Sequence, residues 1–154
     1  MVIFVSPPIK LMEGTEMIEF RVYGTPAPQG SKTAFVRGGR AVVVDGSSTT
    51  GRQKLSSWRA EVAREASNIA SGELLEGPIG VEINFVMPKP KSAPKGKIFC
   101  DKKPDIDKLI RSTFDSMTGV LYRDDSQIVQ VRATKVYVTS DEPSGAVIRI
   151  YPLS

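Results

Sequence analysis

The sequence predicts an α/β (α+β) domain in which a single mixed β-sheet carries two helices packed on it. Three observations lead there. Apolar and polar residues alternate at period two in separate short stretches, two longer stretches repeat apolar residues at helical spacing, and the elements follow the order β, β-hairpin, α, β, α, β, β.

The first strand begins at Met17, where Ile18, Phe20 and Val22 alternate with Glu19, Arg21 and Tyr23. Residues 24–32, GTPAPQGSK, read as a loop from their glycine and proline content. Thr33–Arg37 and Arg40–Val44 flank Gly38-Gly39, the spacing of a two-residue hairpin turn. A helix is expected over Arg52–Ala70, capped by Thr50 with Gln53 and ended by Ser71-Gly72; Leu55, Trp58, Val62, Ala66 and Ile69 form its apolar stripe. Ile79, Val81, Ile83, Phe85 and Met87 mark a half-buried strand. A second helix is expected over Ile106–Met117, with Ile106, Leu109, Ile110, Thr113, Phe114 and Met117 on one side and Asp107, Arg111 and Asp115 on the other. A strand over Gln127–Val138 follows, with Val129, Val131, Ala133 and Tyr137 on one face, and Ala146–Tyr151 closes the chain.

At 154 residues the chain suits one domain, over residues 17–154, preceded by an extension over residues 1–16 with no usable period. No basic region precedes Val2-Ile3-Phe4-Val5 and prolines follow it closely, so no signal peptide is expected; no apolar run approaches a membrane span. Cys100 is the single cysteine, which suits a reducing compartment and a cytoplasmic location. Histidine is absent, which removes Ser-His-Asp and Cys-His arrangements, histidine bases and histidine zinc sites. Catalysis then falls to carboxylates, lysines, hydroxyls or an oxygen-bound metal.

The net charge of +4 is local. Residues 88–104 hold six lysines (89, 91, 95, 97, 102 and 103) against Asp101, a net +5, while fifteen basic and sixteen acidic residues elsewhere leave −1. Such a patch suits a polyanion, and a solvated lysine loop is the plainer reading of the same composition.

Between residues 104 and 128 the chain reads PDIDKLIRSTFDSMTGVLYRDDSQI. Taken singly, Asp105 and Asp107 suit a helix start, Asp124-Asp125 a turn, and Arg111 a surface pair with Asp107 and Asp115. Taken together they suggest more. A helix start and a strand start at one sheet edge would bring Asp105, Asp107 and Asp125 together, and such a cluster needs a cation between its charges. All-oxygen ligation suits Mg²⁺, with Mn²⁺ as a substitute. Lysines 102 and 103 lie immediately upstream, and acids that hold metal beside lysines that hold phosphate suit phosphodiester hydrolysis. The spacing matches neither a calcium loop nor a Walker A loop, and the D-x-D follows Lys102-Lys103-Pro104 rather than the buried strand of an aspartyl-phosphate phosphatase.

The run KPDIDKLIRSTFDSMTGVLYRDDSQIV resembles the core motif of the RusA family of Holliday-junction resolvases, and VYGTPAPQGSK resembles that family's opening strand and loop, so the likeness spans roughly residues 17–151. The resemblance implies a homodimer that binds four-way junctions, forks and other branched DNA and nicks two opposed strands with Mg²⁺, leaving ligatable 5′-phosphate ends. It implies Asp105, Asp107 and Asp125 as catalytic metal ligands, Asp124 as a helper at the metal, and Arg111 at the position of a catalytic helix lysine. The family's asparagine after the second aspartate is Lys108 here. DNA contacts are expected at Lys32, Arg37, Arg40, Lys89, Lys91, Lys95, Lys97, Lys102, Lys103, Lys108 and Lys135. Many relatives sit in phage and prophage genomes, from which a bacteriophage origin is expected. Two other readings share the scaffold: a non-catalytic branched-DNA-binding protein, and a less selective metal nuclease acting on forks and flaps.

Overall fold

The structure, a computed structural model, describes residues 17–30, 32–45, 49–139 and 141–153; the extension expected over residues 1–16 lies outside them. The elements follow the expected order: β1 (Ile18–Tyr23), β2 (Lys32–Arg37), β3 (Arg40–Asp45), α1 (Thr49–Ile69), β4 (Ile79–Met87), α2 (Ile106–Met117), β5 (Ile128–Tyr137) and β6 (Gly145–Pro152). Four strands form a mixed sheet in the order β1-β6-β4-β5. β6 runs antiparallel to both neighbours, and β4 runs parallel to β5.

The expected single sheet is corrected in one respect. β2 and β3 pair with each other as a separate two-stranded sheet, turned by Gly38 and Gly39 at φ 61° and 75°. The loop before them explains the separation. Pro26 and Ala27 are buried, the Gln29 N–H donates to Lys108 O at 3.0 Å, and the Ser112 hydroxyl donates to Ala27 O at 2.7 Å. The chain leaving β1 is thus laid across α2 instead of returning to the sheet edge.

Each helix buries one stripe. Trp58, Val62 and Ala66 of α1 and Leu109, Thr113 and Met117 of α2 share a core with Val81, Ile83, Phe85, Ile148 and Ile150. α1 begins at Thr49, so Thr50 sits inside the first turn and the cap expected with Gln53 is not its role. Ile69, expected in the stripe, lies in the last turn and is 43% exposed. On the opposite sheet face Arg149 reaches Glu19 at 2.6 Å and the buried Glu82 at 3.9 Å, and the Tyr151 ring lies against Gly80, where a Cβ would collide with it.

One buried polar contact ties α1 to the helix that carries the acidic motif. The Trp58 indole N–H donates to Thr113 Oγ1 at 3.3 Å, and the Thr113 hydroxyl donates to Leu109 O at 2.8 Å. Trp58→Phe is expected to lower the unfolding free energy by about 1–2 kcal/mol, from lost volume and one lost hydrogen bond. Thr113→Val leaves the indole N–H unpaired, so the two changes in urea denaturation should sum to more than the double variant costs.

Candidate active site

Asp105 and Asp107 open α2, as expected from their fit to a helix start. The Asp105 backbone caps the helix, with Leu109 N–H donating to its carbonyl at 3.2 Å, but its carboxylate makes no capping bond. That side chain is 56% exposed and its nearest cation is Lys108, with Nζ at 3.8 Å. Asp107 is exposed in the first turn. Both carboxylates are exposed to solvent.

The turn that delivers Asp105 is held from below. Lys135, on the helix-facing side of β5, donates from Nζ to Lys102 O at 2.6 Å and to Pro104 O at 2.7 Å. Residues 98–100 pair with the C-terminal end of β5, where Cys100 N–H donates to Lys135 O and Tyr137 N–H to Ile98 O. The segment 88–104, which its composition reads most plainly as a lysine loop, thus contributes a short edge bridge. Lys135 was expected among the DNA contacts; its ammonium donates to two backbone carbonyls. A strand lysine on a half-buried face needs acceptors, and the turn supplies them.

Asp124 and Asp125 sit in a turn with a different anchor. Asp124 accepts from the Ser126 backbone N–H at 2.8 Å, which holds its carboxyl below the usual range. The hydrogen bond with Asp124 raises the Asp125 carboxyl, with slight desolvation and the charges of Asp124 and Asp115 adding to it. Gln127 locks the turn: Oε1 accepts from the Arg123 and Asp124 N–H groups, and Nε2 donates to Leu75 O and Gly77 O. Asp124 and Gln127 form a capping box on the 3₁₀ turn Asp125–Gln127, so Gln127 belongs to the turn and not to the strand. Neither the latch by Gln127 nor the clamp by Lys135 was expected from the sequence.

The expectation that Asp105, Asp107 and Asp125 meet within one chain is corrected. At about 1.5 Å per residue, the 12 residues of α2 separate its two ends by roughly 18 Å. Asp105 precedes the first end; Asp125 lies beyond the second, where the Tyr122 hydroxyl donates to Phe114 O at 2.9 Å. Among the described residues no group of three acidic, cysteine or histidine side chains is close enough to hold a metal ion. The chain carries two aspartate pairs at opposite ends of one helix.

The basic residues divide as well. Lys102 and Lys103 are exposed beside Asp105, and Lys89 and Lys108 are half-buried there. Lys54 of α1, which sequence reasoning missed, lines the same cavity as these four. Lys91 and Lys95 are exposed further along the loop, while Lys97 is paired with Asp101 at 2.6 Å. Arg37 and Arg40 face each other, exposed, at the tip of the β2–β3 hairpin, and Lys32 opens β2. Arg111 is exposed on α2, and the surface pairs expected with Asp107 and Asp115 are not among the ion pairs of the described residues.

A family model described as Endodeoxyribonuclease RusA matches residues 25–151, from the loop after β1 to the last strand. The chain belongs to the RusA family. As a RusA protein it is an endodeoxyribonuclease, a hydrolase of DNA phosphodiesters, and membership supports the junction-resolving type. It is also similar to a Bacillus subtilis (strain 168) chain described as uncharacterized protein YqaN, 30% identical over 138 residues, which cover 83% of this chain and 92% of that one. No helix among the described residues is long and apolar enough to cross a membrane.

In this RusA chain the two bonds from Lys135 tie the turn that carries Asp105 to β5. Lys135→Met removes both bonds to the 102–104 turn, and the nicking rate should fall about 10- to 100-fold. The loss should appear in kcat, with DNA affinity and its salt dependence nearly unchanged. A phosphate-binding lysine would do the reverse, weakening binding and lowering the log–log salt slope by about 0.9.

Proposed function

We propose that two copies of this chain form a twofold dimer that resolves four-way junctions and related branched DNA by paired nicks on opposed strands, each centre being shared between copies. Asp105 and Asp107 would come from one copy, and Asp125, with Asp124 beside it, from the other. The observation that carries this reading is the separation of the two aspartate pairs, neither of which holds enough carboxylates alone.

The edge of the sheet supplies a route. β5 is a terminal strand, and among the described residues its C-terminal end is the part that is covered, by residues 98–100. Its other half is open, with Val129 and Val131 64% and 44% exposed. Open apolar edges invite another strand. Antiparallel pairing of β5 with its twofold mate sets the start of one β5, next to Asp125, beside the end of the other, next to Lys135 and Asp105. A closed twofold contact also gives two centres on one face, which suits cuts in strands related by near-twofold symmetry.

The donor set is made of exposed carboxylates, hard oxygen ligands that fit Mg²⁺ or Mn²⁺. When bound there, the ion supplies charge that polarises a phosphodiester and acidifies a water. The chain's own residues do the rest. Lys102, Lys103 and Lys108 draw the backbone phosphate to Asp105, and Arg111, one turn along α2 from Asp107, can clamp a neighbouring phosphate. Lys135 keeps Asp105 in place, and Gln127 does the same for Asp124 and Asp125.

Complementation tests the shared centre. Asp105→Asn and Asp125→Asn should each lower nicking at least ~100-fold while leaving junction binding intact. Mixed together, the two inactive proteins should form heterodimers in which one centre carries both changes and the other carries none. Nicking then returns to about a quarter of the wild-type rate, since about half the dimers are mixed and each has one good centre. The product should be a junction cut in one strand only. No recovery after proven subunit exchange would place the whole centre in one chain and overturn the proposal. Lys108→Asn removes the ammonium nearest Asp105 and should lower the Mg²⁺ concentration for half-maximal nicking by about two- to fivefold.

A further inference from the structure

A cavity of about 630 Å³ opens beside Asp105, between the loop after β1, the start of α1, the end of β4 and the turn held by Lys135. Its floor is apolar: Ala27, Met87 and Tyr137 are 2%, 3% and 7% exposed. Its walls are largely proline, including Pro28, Pro88 and Pro104. Its charged residues are five lysines (54, 89, 102, 103 and 108) against the single carboxylate of Asp105.

We infer that this cavity receives one unstacked nucleotide, base inward and phosphate at the lysines, adjoining the phosphodiester that is cut. The inference rests on the endonuclease reading and adds a binding site to it. The volume lies within the range of small-ligand pockets and is large enough for a nucleotide. Apolar floor and cationic rim together select a flat molecule with a charged end. Bare phosphate has no use for the floor. A peptide strand would seek backbone hydrogen bonds, and prolines offer no N–H to supply them. A nucleobase needs only faces to lie against, and Tyr137 with the proline rings provides them.

The location gives the site a consequence. Asp105 lies at the cavity, so a nucleotide seated there carries its phosphate to the proposed metal ligands. A base in intact duplex has to be unpaired and unstacked first, whereas a base at a branch point has lost part of that stacking. Seating one nucleotide would therefore favour branched over linear DNA before any second contact is made.

Two measurements on the full chain, without divalent metal, separate this site from the wider reading. A single-stranded dinucleotide with a 5′-phosphate, titrated against the isotope-labelled protein, should move the backbone amides of Ala27, Lys89 and Lys108. A duplex of the same sequence should move them less. In a four-way junction with 2-aminopurine at successive positions, fluorescence should rise severalfold at one position beside the cut, when that base leaves its stack. Ala27→Leu, which fills the floor, should abolish that rise and lower the nicking rate about tenfold, the equivalent of one lost stacked base. Lys54→Glu, on the exposed start of α1, should weaken dinucleotide binding with no change in thermal midpoint. Unmoved amides, or the same shifts produced by inorganic phosphate alone, would overturn the site. Junction cleavage without any rise in fluorescence would overturn it while leaving the endonuclease reading standing. Amide shifts with dinucleotide in a protein that never nicks junctions would uphold the cavity and overturn the endonuclease reading.

Discussion

Because β4 and β5 run parallel, the chain that leaves β4 at Met87 has to travel back along the sheet before it can enter β5 at Ile128. α2 makes that journey. Its start lies at the end of β4, and its end lies at the start of β5, so the loops flanking it are fixed at opposite ends of these strands. Both loops carry aspartates. The distance between Asp105 and Asp125 is therefore a property of the topology, and no rotamer or loop adjustment removes it. Had the two strands been antiparallel, a short connection would have placed both motifs at one end of the strands.

Each loop is then held by one long side chain that satisfies two backbone carbonyls. Lys135 does this for Lys102 and Pro104, and Gln127 does it for Leu75 and Gly77. Loop carbonyls near a folded core require donors, and a donor rooted in the β5 region also fixes where the loop sits. The loop after β1 adds a third tie, from Gln29 and Ala27 to α2. Catalytic carboxylates work only when held to a fraction of an ångström, and the side chains that hold them matter almost as much as the ligands. The loops that carry the aspartates are thus held by side chains outside the aspartate pairs.

Periodicity was enough to read the elements. Ile18 to Val22, Ile79 to Met87 and the stripe from Ile106 to Met117 announce their strand and helix spacing directly, and Gly38-Gly39 announces the hairpin. The aspartates were legible by type and spacing. What alternation cannot express is strand direction: Ile79–Met87 reads the same whether its neighbour is parallel or antiparallel, and the pairing of Asp105 with Asp125 depended on that. Lys135 was readable in part. It shares a face with Val131, Ala133 and Tyr137, and a lysine on a mostly apolar face signals acceptors nearby. Gln127, three residues after Asp124, carried a capping-box spacing that could have been read before the turn was seen. The cavity was not readable, because Lys54, Ala27 and Tyr137 come from elements far apart in sequence.

Dividing the carboxylates also changes what the single chain must tolerate. Three or four aspartates crowded at one place repel until a cation arrives, and a chain built that way carries the repulsion throughout folding. Here each pair meets its own compensation. Lys108 stands 3.8 Å from Asp105, and Ser126 N–H stabilises the Asp124 charge at 2.8 Å. Asp125 is the exception, its carboxyl raised by its neighbour. In the proposed dimer the repulsion appears only when two folded copies meet, at the moment when metal and a phosphate can offset it. Assembly and ion binding then favour one another, and a lone copy is left without a competent centre on DNA it should not cut.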